Sequence, residues 1–347
     1  MRIALDAMGS DRAPMIEVKG AIEASDANPD VEIVLVGDQP TLERHLAQFP
    51  RRSNITIRHA SDVITMDDAP VAAVRRKKDA SLLVGMRMVK TGEADGIVSA
   101  GNTGAVQVAA RIVLGPIRGV ARSAVCQQLP SLGSRGTLLI DMGANVDCSA
   151  RHLCEFAEMG VVYAERALGY KNPRVGLLNI GTEQLKGNEL SKAVHRNLTA
   201  AKHINFVGNV EPMGVFQGEV DIAVCDGFMG NLVLKTSEAV AFYVGKTLER
   251  ELKSRWISRI GAALCLGAFS RLKQRVDPND MPGAPLLGVN GVVIITHGSI
   301  KSRGIANAIY GASRSVESRI NEFIRKEIES LRHHENNKAA LGEQHGG

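Results

Sequence analysis

The stretch Gly96-Ile97-Val98-Ser99-Ala100-Gly101-Asn102-Thr103-Gly104-Ala105 (GIVSAGNTGA) decides the class of fold. A short apolar run, Ile97-Val98, gives way to small polar residues and two glycines. A helical pattern follows, with Ala105, Val108, Ala109, Ile112 and Val113 on one face. Strand, small polar loop and helix start is an arrangement that holds anions, because free backbone N–H groups converge there. No lysine follows Gly104, so the loop lacks the ending of an ATP-binding P-loop.

The same rhythm runs outward in both directions. Strand candidates are 2–6, 32–36, 55–59, 96–99, 123–127, 137–141, 174–179, 205–208, 221–225 and 291–296, with helical patterns such as 16–24, 80–91, 153–167 and 190–200 between them. Strands rich in Val, Ile and Leu, separated by helices, predict a mostly parallel sheet covered on both faces. Right-handed crossovers then give a doubly wound, Rossmann-like α/β fold. There is no internal repeat and no long linker. The reading is one α/β domain over 1–332, with a protruding amphipathic helical segment at 236–277 and a loose polar tail at 333–347.

Composition agrees and excludes several classes. The 347 residues are 44% hydrophobic and 23% charged, with 35 glycines and only 4% aromatics, which suits tight strand-to-helix turns better than a β-sandwich. The N-terminal MRIALDAMGS enters a strand with no secretory h-region, and no run approaches the roughly 18 apolar residues of a spanning helix. Net charge is +5, too diffuse to argue for nucleic acid, and one Trp with four Tyr offers little for base stacking. Cys126, Cys148, Cys154, Cys225 and Cys265 show no CxxC or CxxH spacing. They read as reduced core or near-core thiols of a cytoplasmic protein. No metal-ligand motif stands out, so neither metal nor cofactor is expected.

Six strands run into polar, glycine-bearing loops: DAMGSD from Asp6, SAGNTGA from Ser99, DMGANVD from Asp141, NIGTEQLKGNE from Asn179, CDGFMGN from Cys225, and THGS around His297. Any one of them is an ordinary turn needing Gly or Asn. Six together, on the edge that the carboxyl ends of parallel strands share, predict a polar cleft.

These motifs, with RRKKDAS and GVNGVVIITHGS and in this order over residues 1–330, closely resemble the bacterial phosphate acyltransferases of phospholipid synthesis. The resemblance implies transfer of a fatty acyl group from acyl-[acyl carrier protein] to inorganic phosphate, without cofactor. It also implies a fold similar to phosphotransacetylases and to isocitrate and isopropylmalate dehydrogenases. One departure is visible: the usual DAMGGD reads DAMGSD here, Ser10 still offering its N–H.

On that reading the anion is orthophosphate, which attacks the thioester carbonyl, passes through a tetrahedral oxyanion and displaces the carrier's thiolate. A thiol with a pKa near 8.5 leaves without strong acid help. The task is then proximity and electrostatic preorganisation. No G-x-S-x-G elbow is present, and Cys225 has no adjacent histidine, so no enzyme nucleophile is expected. Ser99, Gly101, Asn102, Thr103 and Gly104 form the expected phosphate cradle, with Asn102 or Thr103 also able to cap the helix. Lys186 is the one cation read within a cleft loop, and with Asn179 and His297 it makes the expected catalytic group. His297 also reads as an ordinary strand-end histidine. Asp6, Asp11, Asp141, Asn145, Asp226 and Asn231 are expected to brace and orient; Asp141 and Asp226 either accept backbone N–H bonds or hold Lys186.

The segment from Glu249 to Pro278 breaks the rhythm. Ile260 to Ser270 is small or apolar but for the serine, and Lys253, Arg255, Arg259, Arg271, Lys273 and Arg275 flank it. With Trp256, Ile260, Leu264, Leu266 and Phe269 it reads as an interfacial tip among lipid headgroups, or equally as a buried helix or a dimer-contact hairpin. The resemblance adds peripheral association with the cytoplasmic membrane, where a glycerol-3-phosphate acyltransferase consumes the product. Arg75-Arg76-Lys77-Lys78 or the basic shoulder could steer the acidic carrier protein, and a homodimer is expected. The rival readings are a phosphotransacetylase acting on short acyl-coenzyme A, an NAD-linked decarboxylating dehydrogenase, and a membrane scaffold that only binds carrier protein.

Overall fold

The computed structural model describes residues 1–133 and 135–330; the tail expected at 333–347 lies outside the described residues. Its strands are Arg2–Asp6 (β1), Glu32–Gly37 (β2), Ile55–His59 (β3), Gly96–Ser99 (β4), Ala124–Leu129 (β5) and Thr137–Ile140 (β6). Val175–Leu178 (β7), Phe206–Val210 (β8), Ile222–Val224 (β9), Ala284–Leu287 (β10) and Val292–Ile295 (β11) complete them. The helices are Met15–Ala27 (α1), Gln39–Leu46 (α2), Pro70–Arg76 (α3), Ser81–Thr91 (α4), Thr103–Ala109 (α5) and Ala150–Arg166 (α6). Glu189–Ala200 (α7), Pro212–Gln217 (α8), Gly227–Ser254 (α9), Trp256–Leu264 (α10), Leu266–Val276 (α11) and Ser302–Glu317 (α12) follow.

The strands form one sheet in the order β3-β2-β1-β4-β11-β10-β5-β6-β9-β7-β8. It is a mostly parallel α/β sheet of the Rossmann type. Period-2 alternation sends neighbouring side chains to opposite faces, and both faces are covered. Ile3, Leu5, Ile33, Leu35 and Val98 enter one apolar cluster, while Ala4, Val34, Val36 and Ile97 enter another. In the second half Leu138, Ile140, Ile222 and Val224 face α6, and Leu139 and Ala223 face the opposite cluster.

Ten strands fall within two residues of the sequence reading. The unforeseen one, β10, carries Pro285 in mid-strand, a residue that argues against a central strand because it cannot donate to a ladder. Its consequence is large. β10 is antiparallel to both β11 and β5, and β5 is antiparallel to β6. Three reversals leave β6, β9, β7 and β8 running opposite to β3, β2, β1, β4 and β11.

The expectation of six loops on one edge is therefore corrected: three follow strands of one direction and three follow strands of the other. Register limits the separation. Leu286 pairs with Val125 and Cys126 with Ile140, which puts Asp141 level with Val293. That is about 7 Å short of the end of β11 and about 14 Å across the sheet. The carboxyl ends of β6 and β11 are thus the nearest members of the two sets, near the middle of the sheet.

Candidate functional site

The first loop group gathers at the ends of β1, β4 and β11. Asp6 is buried there and accepts hydrogen bonds from Ser81 Oγ (2.6 Å) and Ser99 Oγ (2.7 Å). Burial pushes its carboxyl above the ordinary range, and the two hydroxyls pull against that. Ser99 Oγ in turn accepts the Gly101 N–H at 3.2 Å. Ser99 is thus a brace beneath the loop, and the Gly101 N–H expected in the cradle is already spent.

Asn102 caps α5, its Oδ1 accepting the Ala105 N–H, while its Nδ2 reaches the carbonyls of Thr65, Met66 and Asp68. Lys77 clamps the same segment through Asp68 at 2.6 Å and holds that carboxyl down at about 2. The run 75–78 is accordingly not one outward patch. What remains open at the start of α5 are the N–H groups of Asn102, Thr103 and Gly104, which have no acceptor among the described residues.

DAMGSD lies against this helix start: a Cβ on Gly9 would stand 2.8 Å from the Gly101 nitrogen. The exposed Asp11 donates its N–H to the Gly298 carbonyl (3.0 Å), joining the THGS loop. The Ser10 N–H, expected to stay available, goes to Glu17 Oε1 at 3.1 Å. Glu17 is buried, which pushes its carboxyl up to about 7. Its Oε2 is buried with no hydrogen-bond partner of good geometry among the described residues.

The second loop group follows β6, β7 and β9. Asp141 is buried and accepts the N–H groups of Val125, Gly143, Ala144 and Asn145, plus Asn145 Nδ2 at 2.9 Å. DMGANVD therefore forms an anion nest whose occupant is its own carboxylate. Burial raises the Asp141 carboxyl, and these donors oppose the rise. Asn145 also donates to the Ser123 carbonyl and accepts the Gly227 N–H through its own carbonyl. Asp226 caps α9 by accepting the Met229 N–H at 2.8 Å. Asn231 is exposed beside Gly143. Neither Asp141 nor Asp226 holds Lys186.

Lys186 is half exposed, with Glu183 its ionic neighbour at 3.9 Å. Its loop is held from below by buried Asn179, whose Nδ2 donates to the Lys186 carbonyl and whose Oδ1 accepts the Ile180 N–H. Gly187, at φ +88°, has no room for a Cβ, which would meet Ser191 Oγ and lie 2.6 Å from Asn179 Oδ1. Asn179 is a support for Lys186 and does not itself face solvent. Buried Cys225 hydrogen bonds to the Asp141 carbonyl, and burial pushes its thiol well up, as suits an inert residue.

The two groups are tied by α9. It starts at Asp226 in the second group, and about 12 Å along its axis Lys235 reaches the first. Lys235 Nζ stands 3.2 Å from His297 Nε2 and 2.9 Å from Glu238 Oε2. Met142 and Ala144 of DMGANVD pack against the apolar cluster that contains Ala105, Val106 and Ala109 of α5. Sequence reading took Lys186 as the one cation of the cleft and passed over Lys235, which stands beside His297 of the first loop group. It escaped because a lysine inside a helix, 62 residues before His297, carries no local signal.

Beyond Lys235 the chain leaves the core, and no residue from 236 to 272 is buried. Trp256, Ile260, Leu264 and Leu266 are exposed and Phe269 is partly so, with α10 lying against α9. Cys265, expected near the core, is exposed at the α10–α11 joint. No helix among the described residues is long and apolar enough to cross a membrane. Glu158, His203 and Glu327 bring ligand-type atoms within 4.8 Å of one another, belong to neither loop group, and already share a Glu158–His203 hydrogen bond of 2.6 Å.

A family model described as "Fatty acid synthesis protein" matches residues 1–323. Among curated proteins, a phosphate acyltransferase of Brevibacillus brevis is 46% identical over 330 residues, covering 95% of this chain and 98% of that one. A phosphate acyltransferase of Halorhodospira halophila is 43% identical over 331 residues, covering 95% and 96%. Among solved structures, a phosphotransacetylase of Streptococcus pyogenes superposes with a TM-score of 0.58 at 18% identity, covering 91% of this chain and 94% of that one. The EutD phosphotransacetylase of Staphylococcus aureus gives 0.57 at 16%, with the same coverage. At such identities the two structures speak for the fold alone.

Proposed function

The chain belongs to the fatty acid synthesis protein family of the phosphate acyltransferases, and from that membership we propose that it transfers a long-chain acyl group from acyl-[acyl carrier protein] to orthophosphate. The product, acyl phosphate, then feeds phospholipid synthesis. The observation that carries the reading is the near full-length identity with named phosphate acyltransferases. The open N–H groups of Asn102 to Gly104 support it.

In the proposed reaction a phosphate oxygen attacks the thioester carbonyl and a tetrahedral oxyanion forms. The C–S bond breaks, and the thiolate departs with its electron pair. Phosphate lies over the first loop group against Asn102, Thr103 and Gly104. Lys186 supplies positive charge to the oxyanion from the second group. Asn179 and Asp141 hold the loops around it, and His297 completes the first group. Gathering two anionic reactants accounts for the largest share of the work.

The test is release of free thiol by the purified chain. The rate is expected to rise with added orthophosphate and to be at least about tenfold higher with acyl-carrier than with acyl-coenzyme A donors of equal chain length, carrier contacts adding binding energy. A rate indifferent to orthophosphate overturns the proposal, and preference for short acyl-coenzyme A replaces it with a phosphotransacetylase.

The exposed α10–α11 tip is proposed to insert among lipid headgroups at the inner face of the cytoplasmic membrane, with a second copy of the chain packing along Val240, Phe242 and Tyr243 of α9. Apolar side chains on a basic segment suit that boundary. In vesicle flotation with anionic lipid, Leu264→Glu with Leu266→Glu is expected to cut the bound fraction about tenfold. Equal flotation of variant and wild type removes the tip from the proposal.

A further inference from the structure

Lys235 anchors on a histidine that belongs to another part of the chain. Lys235 Nζ stands 3.2 Å from His297 Nε2, a ring nitrogen able to accept one N–H of an ammonium. A second N–H goes to Glu238 Oε2 at 2.9 Å, which leaves the third without a partner among the described residues. The pair is half exposed on both sides and so is weak and exchangeable.

The surroundings call for a cation. From Lys235 a chain of close approaches leads through His297 and Gly298 to Asp11, then through Gly9 to Gly101 and the open N–H groups of Asn102, Thr103 and Gly104. Asp6, Asp11 and Glu17 all lie in or beside this loop group. The amide N–H groups there offer partial charges only, and Lys77, a cation on the same segment, is bound to Asp68 at 2.6 Å. Lys186, the cation expected from sequence, stands in the other group, beside Glu183.

We infer that Lys235 is the cation of a tetrahedral-oxyanion subsite in the first loop group: anchored on His297, it presents its third N–H to orthophosphate, and Glu238 competes for it when the subsite is empty. This rests on the acyl transfer to phosphate proposed above, and it adds a residue and a control on affinity to it. Lys235 acts on phosphate binding, so its loss appears as weaker affinity, with KM for phosphate rising more than kcat falls.

Calorimetric titration of inorganic phosphate, with no acyl donor, tests it on the full chain. Lys235→Met is expected to weaken binding about tenfold or more, and Lys235→Arg to restore it to within about threefold of wild type, since either cation donates to phosphate. Glu238→Gln is expected to tighten binding by about two- to fivefold, because the competing carboxylate is gone. If Lys235 only pinned α9 to the THGS loop, Glu238→Gln would weaken binding or leave it unchanged. That result, or a Met variant that binds like wild type, overturns the inference. Thiol-release assays separate it from the parent reading. Rates that need phosphate, with wild-type KM in the Met variant, sink Lys235 alone. Rates indifferent to phosphate, with the affinity order intact, sink acyl transfer alone.

Discussion

Replacing Lys186 with alanine is expected to lower the phosphate-dependent turnover about a hundred- to a thousandfold, the usual cost of removing a charge-stabilising donor from a preorganised site. The fold is expected to tolerate the change. Lys186 is half exposed, and its pair with Glu183 is a long surface contact of 3.9 Å, worth at most about 0.5 kcal/mol. The Asn179 bond that holds the loop goes to the Lys186 backbone carbonyl, which alanine retains. Melting temperature should therefore stay within about 1 °C while kcat collapses. Near-normal turnover removes Lys186 from the site, and a fall in both quantities reassigns it to the fold.

Gly230→Ala is expected to act through the fold instead. In an exposed helix alanine would add about 1 kcal/mol of stability over glycine. Here the added methyl overlaps the Asp141 carbonyl oxygen and stands 2.9 Å from Cys225 Sγ, both of them buried parts of the sheet's end. Neither is the free end of a flexible side chain, so α9 has to move outward. Overpacking of this kind costs about 1–3 kcal/mol after the helix gain is overcome. The expected result is a loss of several degrees in thermal unfolding together with lower activity, because α9 carries both Asn231 and Lys235. A variant that melts and turns over like wild type would show that the α9–β6 approach has room for a methyl group.

The sequence made the strand-loop-helix units legible because each is a local pattern of apolar period and glycine punctuation. Asp6, Asp141, Asn179 and Asp226 were found for the same reason: each closes a strand or opens a helix. What they do was less legible. Asp141 fills its own nest and Ser99 lies beneath the loop it was expected to line, and both facts depend on which N–H groups a buried side chain intercepts. The strand direction was lost at Pro285, where local chemistry argues against the very strand that reverses the sheet. Lys235 was lost because its partner, His297, is distant in sequence and near only in space.

The α9 helix has one further mechanical consequence. Its root is wedged at Gly230 against the end of β6, and its ninth residue is fastened to the opposite loop group through His297. The remainder extends about 28 Å into solvent without a buried residue. A rod gripped at one end and loaded at the other turns about its grip. Any torque applied at the far end reaches Lys235 and the His297 contact first, and Asn231 and Gly230 one turn further in.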